Sequence, residues 1–240
     1  MQPKVLQKMK KVFAICLLIF LVACSAEKKG NMIVQGQIKG LKKGTLYLQK
    51  MQDTIIISID SISLLGEDTF TLSDDVDSPE MYYLTFDANN SEQRIMFFAE
   101  PGTITINDDV KNFGLNTKIE GSKNQKLYED YQKITKRFQG KQLDLLEANF
   151  KAQKANDIKK SDSIREVSEA YIRRRYLHSI NFALNHLDDE VSAYIALTDL
   201  ANANIKYLDS INNTLSDKVQ NSLYGKKLAD FITDIKKSEQ

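Results

Sequence analysis

Cysteine, proline and net charge are all scarce in this chain of 240 residues. The two cysteines, Cys16 and Cys24, both precede residue 25. Residues 25–240 therefore hold no thiol for a disulfide, a redox cycle, a cysteine zinc site or nucleophilic catalysis. The last of the three prolines is Pro101, so the remainder can form long helices without the interruption proline brings. Lys+Arg 33 and Asp+Glu 32 nearly cancel, which leaves no basic surplus to neutralise nucleic-acid phosphates. The longest apolar run, Val12 to Ala23, has twelve residues and falls short of the roughly 20 that a spanning helix needs. No Walker loop, dinucleotide fingerprint, His-Glu-x-x-His or Gly-x-Ser-x-Gly occurs. What is present is an ordinary globular balance, 42% hydrophobic and 27% charged, which excludes disorder and collagen-like repeats.

The amino terminus carries the clearest motif. Lys8, Lys10 and Lys11 precede the apolar run, which ends in Leu21-Val22-Ala23-Cys24. A basic flank, a short apolar stretch and small residues at its end are the parts of an export signal. Leu-Val-Ala-Cys resembles the lipobox of bacterial lipoproteins. That resemblance implies cleavage before Cys24, a thioether from its sulfur to diacylglycerol, and acylation of the new amino terminus. Several acyl chains, at about 0.8 kcal/mol per buried CH₂, anchor a protein stably where one does not. Met9-Lys10-Lys11 is also a more usual start of such a signal than Met1. Removing residues 1–23 takes away four lysines and no acid, giving a mature formal charge of −3. Ser25-Ala26-Glu27-Lys28-Lys29-Gly30 then forms a polar tether. By analogy, Ser25 in place of the Asp of inner-membrane retention favours the outer membrane, on a face left undecided.

From Met32 to about Gly121 the pattern alternates as half-buried strands do. Val34, Gly36 and Ile38 share one face; Leu46 with Leu48, and Ile104 with Ile106, repeat the period. Ile55-Ile56-Ile57, Met81-Tyr82-Tyr83-Leu84 and Ile95-Met96-Phe97-Phe98 are denser, as suits central strands. After Gly121 the period becomes helical: Leu127, Tyr131, Ile134 and Phe138 step at three and four, as do Ile164, Val167, Tyr171, His178 and Phe182 with one turn skipped. Further helices are predicted over Val191–Leu200, Ile205–Leu215 and Val219–Ile235, the last capped by Ser216-Asp217. Loops are expected near Gly140, Ala155–Ser161, Leu187–Glu190 and Asn202–Asn204. The fold class expected is α+β, an antiparallel β-sandwich-like domain at 32–121 followed by an antiparallel helical domain at 122–240, after a signal at 1–23 and a lipidated tether at 24–31.

Val34-Gln35-Gly36-Gln37-Ile38-Lys39-Gly40, Gly44-Thr45-Leu46-Tyr47-Leu48, Ile59-Asp60-Ser61, Phe70, Pro79, Phe98-Ala99-Glu100-Pro101-Gly102-Thr103-Ile104-Thr105-Ile106 and Glu120-Gly121-Ser122-Lys123-Asn124 follow one another in order. Together they resemble the domain-of-unknown-function family 4369 over roughly residues 32 to 125. The resemblance implies a lipoprotein of the Bacteroidota, and in that family the domain commonly precedes a thioredoxin-like thiol:disulfide oxidoreductase. The stretch ending Ser222-Leu223-Tyr224-Gly225-Lys226-Lys227 resembles the lead into that oxidoreductase. No Cys-x-x-Cys occurs here, so the family's redox activity does not carry over. The motif residues themselves read as structural, glycines for turns and aromatics for core.

Candidate sites are few. His178 and His186, the only histidines, stand about 12 Å apart along one helix, too far to share a metal. His178 continues an apolar stripe and reads as a packed histidine. Asp74-Asp75-Val76-Asp77-Ser78-Pro79-Glu80 is dense in acid, but an EF-hand loop starting at Asp75 meets Pro79 and Glu80 where a ligand and glycine belong. A solvated turn is preferred to calcium. Arg173-Arg174-Arg175 fans around a helix and makes no single basic face. Tyr82, Tyr83, Phe97 and Phe98 read as core before they read as a ligand groove. Asp-Ser/Thr-Ile recurs at Thr54, Ser61, Ser163 and Ser210 and resembles the O-glycosylation acceptor of exported Bacteroidota proteins; cap and turn chemistry is the alternative. The function expected is that of a non-catalytic envelope lipoprotein, a binding or scaffolding module without cofactor or metal. Its expected partners are the membrane, through lipid on Cys24, and an envelope protein. The alternative is an accessory subunit working in trans with a separate thioredoxin-like oxidoreductase.

Overall fold

The computed structural model describes residues 30–86 and 93–238. Eight strands come first: β1 (Met32–Lys39), β2 (Lys43–Gln52), β3 (Ile55–Leu65), β4 (Thr69–Asp74), β5 (Glu80–Phe86), β6 (Ile95–Ala99), β7 (Gly102–Asp109) and β8 (Lys118–Glu120). They form two four-stranded sheets, ordered β4-β1-β7-β8 and β3-β2-β5-β6. Alternation works as the sequence suggests: Val34, Ile38, Leu46, Leu48, Ile104 and Ile106 are all wholly buried between the sheets. All pairings are antiparallel except β1 with β7, which run parallel and depart from the all-antiparallel expectation. Gly36 belongs to this pair because a Cβ there would stand 1.9 Å from the carbonyl oxygen of Ile106.

Two of the three dense apolar runs are not central. β3 and β6 are edge strands, while β5 alone lies inside its sheet. Beyond Lys50 the β2–β3 hairpin outruns its pairing with β5, and Ile55 and Ile56 are 62% and 40% exposed. β6 is dense for another reason, which is cover on both faces. Tyr82, Leu84, Ile95 and Phe97 point into the sandwich. Met81 and Phe98 point the other way, into a cluster with Tyr131, Val191 and Ile195 from the helices. The architecture is thus sheet, sheet, helices, with β5 and β6 in the middle layer.

Six helices are described: α1 (Lys123–Lys154), α2 (Ile158–Asn185), α3 (Glu190–Thr198), α4 (Ile205–Thr214), α5 (Asp217–Gln220) and α6 (Leu223–Ser238). The loop expected near Gly140 is absent, since α1 runs through it with open space around the glycine. A glycine costs about 1 kcal/mol in a helix interior, too little to end a helix of this length. The expected loop at Ala155–Ser161 shrinks to Ala155–Asp157, with Asp157 capping α2 through Lys160 N–H. The helix expected over Val219–Ile235 breaks at Asn221-Ser222, because Ser222 Oγ caps Gly225 and turns the chain into α6. Ser216 precedes α5, but its hydroxyl donates to the Leu187 carbonyl and makes no side-chain cap. Ile180, Ala183, Ala193, Ala196, Leu208, Ile211 and Leu228 form the core of α2, α3, α4 and α6. Among the described residues no helix is long and apolar enough to cross a membrane.

Candidate functional site

The sheets and helices meet around a cleft of about 510 Å³. Its walls come from the β4–β5 turn (Asp77, Ser78, Pro79), the β6–β7 turn (Glu100, Pro101), Lys218 of α5, and the amino-terminal ends of α1, α3 and α6 or the residues just before them. Three helix amino termini gathered in one place leave several N–H groups and partial positive charges to satisfy. Each is met from a different element. Glu100 accepts from Lys123 N–H at 2.5 Å and from the Asn124 side chain at 3.0 Å, so the sandwich caps α1. Ser122 closes the same terminus locally by accepting from Gln125 N–H. Gln125 in turn accepts from the Phe98 N–H at 2.9 Å and ties α1 to β6. Ser78 Oγ accepts from Leu223 N–H at 3.1 Å at the start of α6.

Asn124 is the centre of the joint. It is 2% exposed. Its Nδ2 donates to Glu100 Oε2 and to Glu190 Oε2 at 3.2 Å, while its Oδ1 accepts from Val191 N–H at 2.9 Å. Asp189, the residue preceding α3, makes no side-chain cap, so Asn124 supplies the missing acceptor from another helix. Asp189 instead pairs with Lys123 Nζ at 2.6 Å, a contact that raises the lysine pKa. Glu190 is fully buried. Lys218 Nζ stands 2.9 Å from its Oε1 without a well-directed hydrogen bond, so that pairing is one of charge. Glu100, Asp189 and Glu190 are therefore occupied with lysines, amides and helix termini, an arrangement that fixes the helical half on the sheets, while Asp77 and Asp188 line the same cleft.

Beside it, Tyr83, Phe98, Tyr128, Tyr194 and Tyr224 form an aromatic seam. Phe98 meets Tyr128, Tyr194 and Tyr224 edge-on, with centroids 5.7, 5.2 and 6.2 Å away. The Tyr224 hydroxyl accepts from Met81 N–H at 2.8 Å. Burial raises the pKa of Tyr128, Tyr194 and Tyr224, so these phenols stay neutral over the physiological range. A second polar cluster clamps one sheet to the other: Lys50 of β2 lies 3.1 Å from Asp74 of β4, 3.3 Å from Glu80 of β5 and 2.9 Å from the Tyr82 hydroxyl. Burial opposes the Lys50 charge, yet Glu80 and Asp74 outweigh it and its pKa rises. Burial also raises Glu80, with Lys50 only partly offsetting it.

The residues singled out from sequence are scattered. Cys24 and the whole signal, residues 1–23, lie outside the described residues, as does the tether up to Lys29. Thr54 in the β2–β3 turn, Ser61 in β3, Ser163 in α2 and Ser210 in α4 are all exposed and belong to four separate places. The acidic run disperses: Asp74 goes to Lys50, Asp75 accepts from Asn31 N–H, Asp77 lines the cleft, and Glu80 returns to Lys50. Among the described residues no group of three or more His, Cys, Asp or Glu could hold a metal. His178 stacks on Tyr131 at 5.2 Å, and burial lowers its pKa. His186 follows α2 and tilts against Phe182. Ser179 beside His178 bonds to Tyr131 rather than to either imidazole. Arg173 approaches Glu169, while Arg174 and Arg175 lie over Tyr171 and Tyr176. Tyr82, Phe97 and Phe98 are wholly buried and Tyr83 half-buried.

A two-sheet sandwich with a helical cover locked onto one face defines the class of protein. Residues 32–128 match the family model described as Domain of unknown function (DUF4369). The matched stretch takes in the whole sandwich and the first turns of α1, where Ser122, Asn124 and Gln125 dock on β6 and Glu100. No curated protein matches the chain, and no solved structure does.

Proposed function

We propose that the protein is a non-catalytic lipoprotein of the cell envelope, acting as a binding or scaffolding module and held at the outer membrane by lipid on Cys24. The observation that carries this reading is the run from Lys8 to Cys24, a basic flank and a twelve-residue apolar segment ending in Leu-Val-Ala-Cys. The joint supports it: buried Asn124 and Glu190 bind helix termini and lysines, which suits a rigid two-part body better than a site that turns over substrate. O-glycosylation at one or more of Thr54, Ser61, Ser163 and Ser210 belongs to the same proposal, their exposure being compatible with it. Intact mass of protein from its native host, if equal to polypeptide plus lipid alone, removes that part.

The match of residues 32–128 favours a second reading, because the family resemblance pairs this domain with thioredoxin-like oxidoreductases. On that reading the chain is an accessory subunit acting in trans. A crosslinked affinity pull-down from the native envelope separates the two. Recovery of envelope components other than a thioredoxin-like protein is the result expected here, and recovery of such an oxidoreductase would replace the first reading by the second.

A further inference from the structure

The outer part of the α1–α2 hairpin is basic in a chain that is otherwise acidic. Residues 136–175 hold eleven Lys and Arg against six Asp and Glu, a formal charge of +5, while the other residues of 24–240 hold eighteen against twenty-six, a charge of −8. Three pairs form within the stretch: Glu147 with Lys151, Asp162 with Arg165 and Glu169 with Arg173. Lys136, Arg137, Lys141, Lys154, Lys159 and Lys160 are exposed and form no ion pair among the described residues. Between Thr135 on α1 and Ser179 on α2, Ala152 is the one buried helical side chain. The free cations therefore stand on a two-helix finger, about 28 Å long, that packs chiefly on itself. One side of the finger is apolar. Leu143, Leu146 and Phe150, 68%, 51% and 62% exposed, recur at three and four residues along α1. Lys136 stands about 20° from Leu143 around the helix and Lys154 about 40° from Phe150, so the stripe has a free cation at each end. Ser161 Oγ donates to Asn149 at 2.7 Å and sets the register of α2. Laid antiparallel in that register, Ile158 and Ile172 fall on the same side, with Arg165 midway between them.

We infer that this side of the hairpin docks on an anionic lipid surface, lying along the headgroups with Leu146 and Phe150 turned toward the acyl boundary. The inference rests on the envelope anchoring proposed above, which keeps such a surface within reach. Charge selects the occupant. A second copy would set one basic finger against another, and like charges across an interface disfavour that pairing. A purely acidic partner would satisfy the lysines and leave the apolar stripe in water. A phospholipid interface answers both features, with anionic heads for the cations and a hydrocarbon boundary for the stripe. Lysine stems reach past neighbouring apolar side chains and carry their ammonium groups to the headgroups. The same surface repels the charge of −8 on the rest of the chain, so the finger is the part that approaches it. An acyl chain with a basic patch is also one of the signal pairs that holds a protein stably at a membrane. The finger lies beyond residues 32–128, so docking is a property of the helical half and not of the matched domain.

The chain has no tryptophan, so Phe150→Trp places a single fluorescent reporter on the stripe. Full-length protein carrying it is transferred from mild detergent into vesicles of phosphatidylcholine, alone or with about one third phosphatidylglycerol. Flotation with the neutral vesicles reads the lipid anchor and the emission of the reporter reads docking, so the two readings fail separately. The expected result is emission at shorter wavelength, quenched by brominated acyl chains, in the anionic vesicles only. That response is expected to be lost in about 0.5 M salt and in the double variant Lys136→Glu, Lys154→Glu. Water-like emission on the anionic vesicles overturns the inference, as does an equal response on the neutral ones or from Leu65→Trp, 87% exposed on β3. A response on neutral vesicles that grows with the number of chains per vesicle assigns the stripe to a second copy and overturns it equally. Should the charge-reversed variant not fold, the comparison of anionic with neutral vesicles and the salt series decide; should Phe150→Trp not fold, Leu146→Trp takes its place.

Discussion

Replacing Asn124 by alanine removes the side chain on which the sheets, α1 and α3 converge. Three hydrogen bonds are lost, two of them to carboxylates. Glu100 retains the Lys123 N–H and Glu190 retains Lys218, but the Val191 N–H is left buried with no acceptor. An unsatisfied buried donor costs about 1–3 kcal/mol and a hydrogen bond to a charged group is worth about 1.5–3 kcal/mol, much of the latter recovered because Glu100 and Glu190 keep their other partners. A total of about 3–4 kcal/mol corresponds to a fall in Tm of about 10 °C for a protein of this size. The assay is thermal unfolding followed in parallel by far-ultraviolet circular dichroism and by tyrosine fluorescence. The aromatic seam at the joint should loosen no later than the helices do. Asn124→Asp should be worse at neutral pH even though it keeps the Val191 bond, because it sets a third carboxylate beside Glu100 and Glu190. A Tm for Asn124→Ala within 2 °C of wild type would refute this account of the joint.

Two glycines separate close approach from open helix. Gly225→Ala should destabilise by about 2–3 kcal/mol, since its Cβ would stand 1.9 Å from the Val219 carbonyl oxygen. Gly140→Ala, with nothing within 4 Å, should stabilise by about 0.5–1 kcal/mol; urea midpoints of both variants check the pair. His178 is held neutral by burial, with its folded pKa below the usual 6.5. The unfolded chain therefore binds the extra proton, so this contribution is complete above about pH 6.5 and is lost as pH falls toward the folded value. Between pH 7.5 and 5.5, Tm should drop less in His178→Phe than in wild type, and an equal drop would contradict the assignment.

Much of the sandwich was legible because alternation and burial coincide in β1, β2 and β7, where each strand has one face on the core. The reading failed where a run of apolar residues had two physical origins. Ile55 and Ile56 belong to a hairpin that overhangs its sheet and leaves them exposed, and Phe97-Phe98 to a strand whose second face the helices cover. Neither origin leaves a distinct mark in local sequence. The parallel pairing of β1 with β7 is likewise invisible to periodicity, which reports faces and not neighbours. The joint was half visible. Glu100 and Asn124 both stand within the short motifs that carry the family resemblance, yet nothing local says that one caps the other across 24 residues. Asp189-Glu190 before an apolar helix could have been read as helix-terminus chemistry, but not as partners of Lys123 and Lys218.

The central claim is that the protein is lipid-anchored through Cys24. Its most direct test is metabolic labelling with palmitate in the native host, followed by envelope fractionation and intact mass of the labelled chain. The account predicts label in the membrane fraction, a mass corresponding to residues 24–240 plus diacylglycerol and acyl groups, and loss of both in Cys24→Ala. An unlabelled chain that retains residues 1–23, or a wild type that fractionates as Cys24→Ala does, would contradict it.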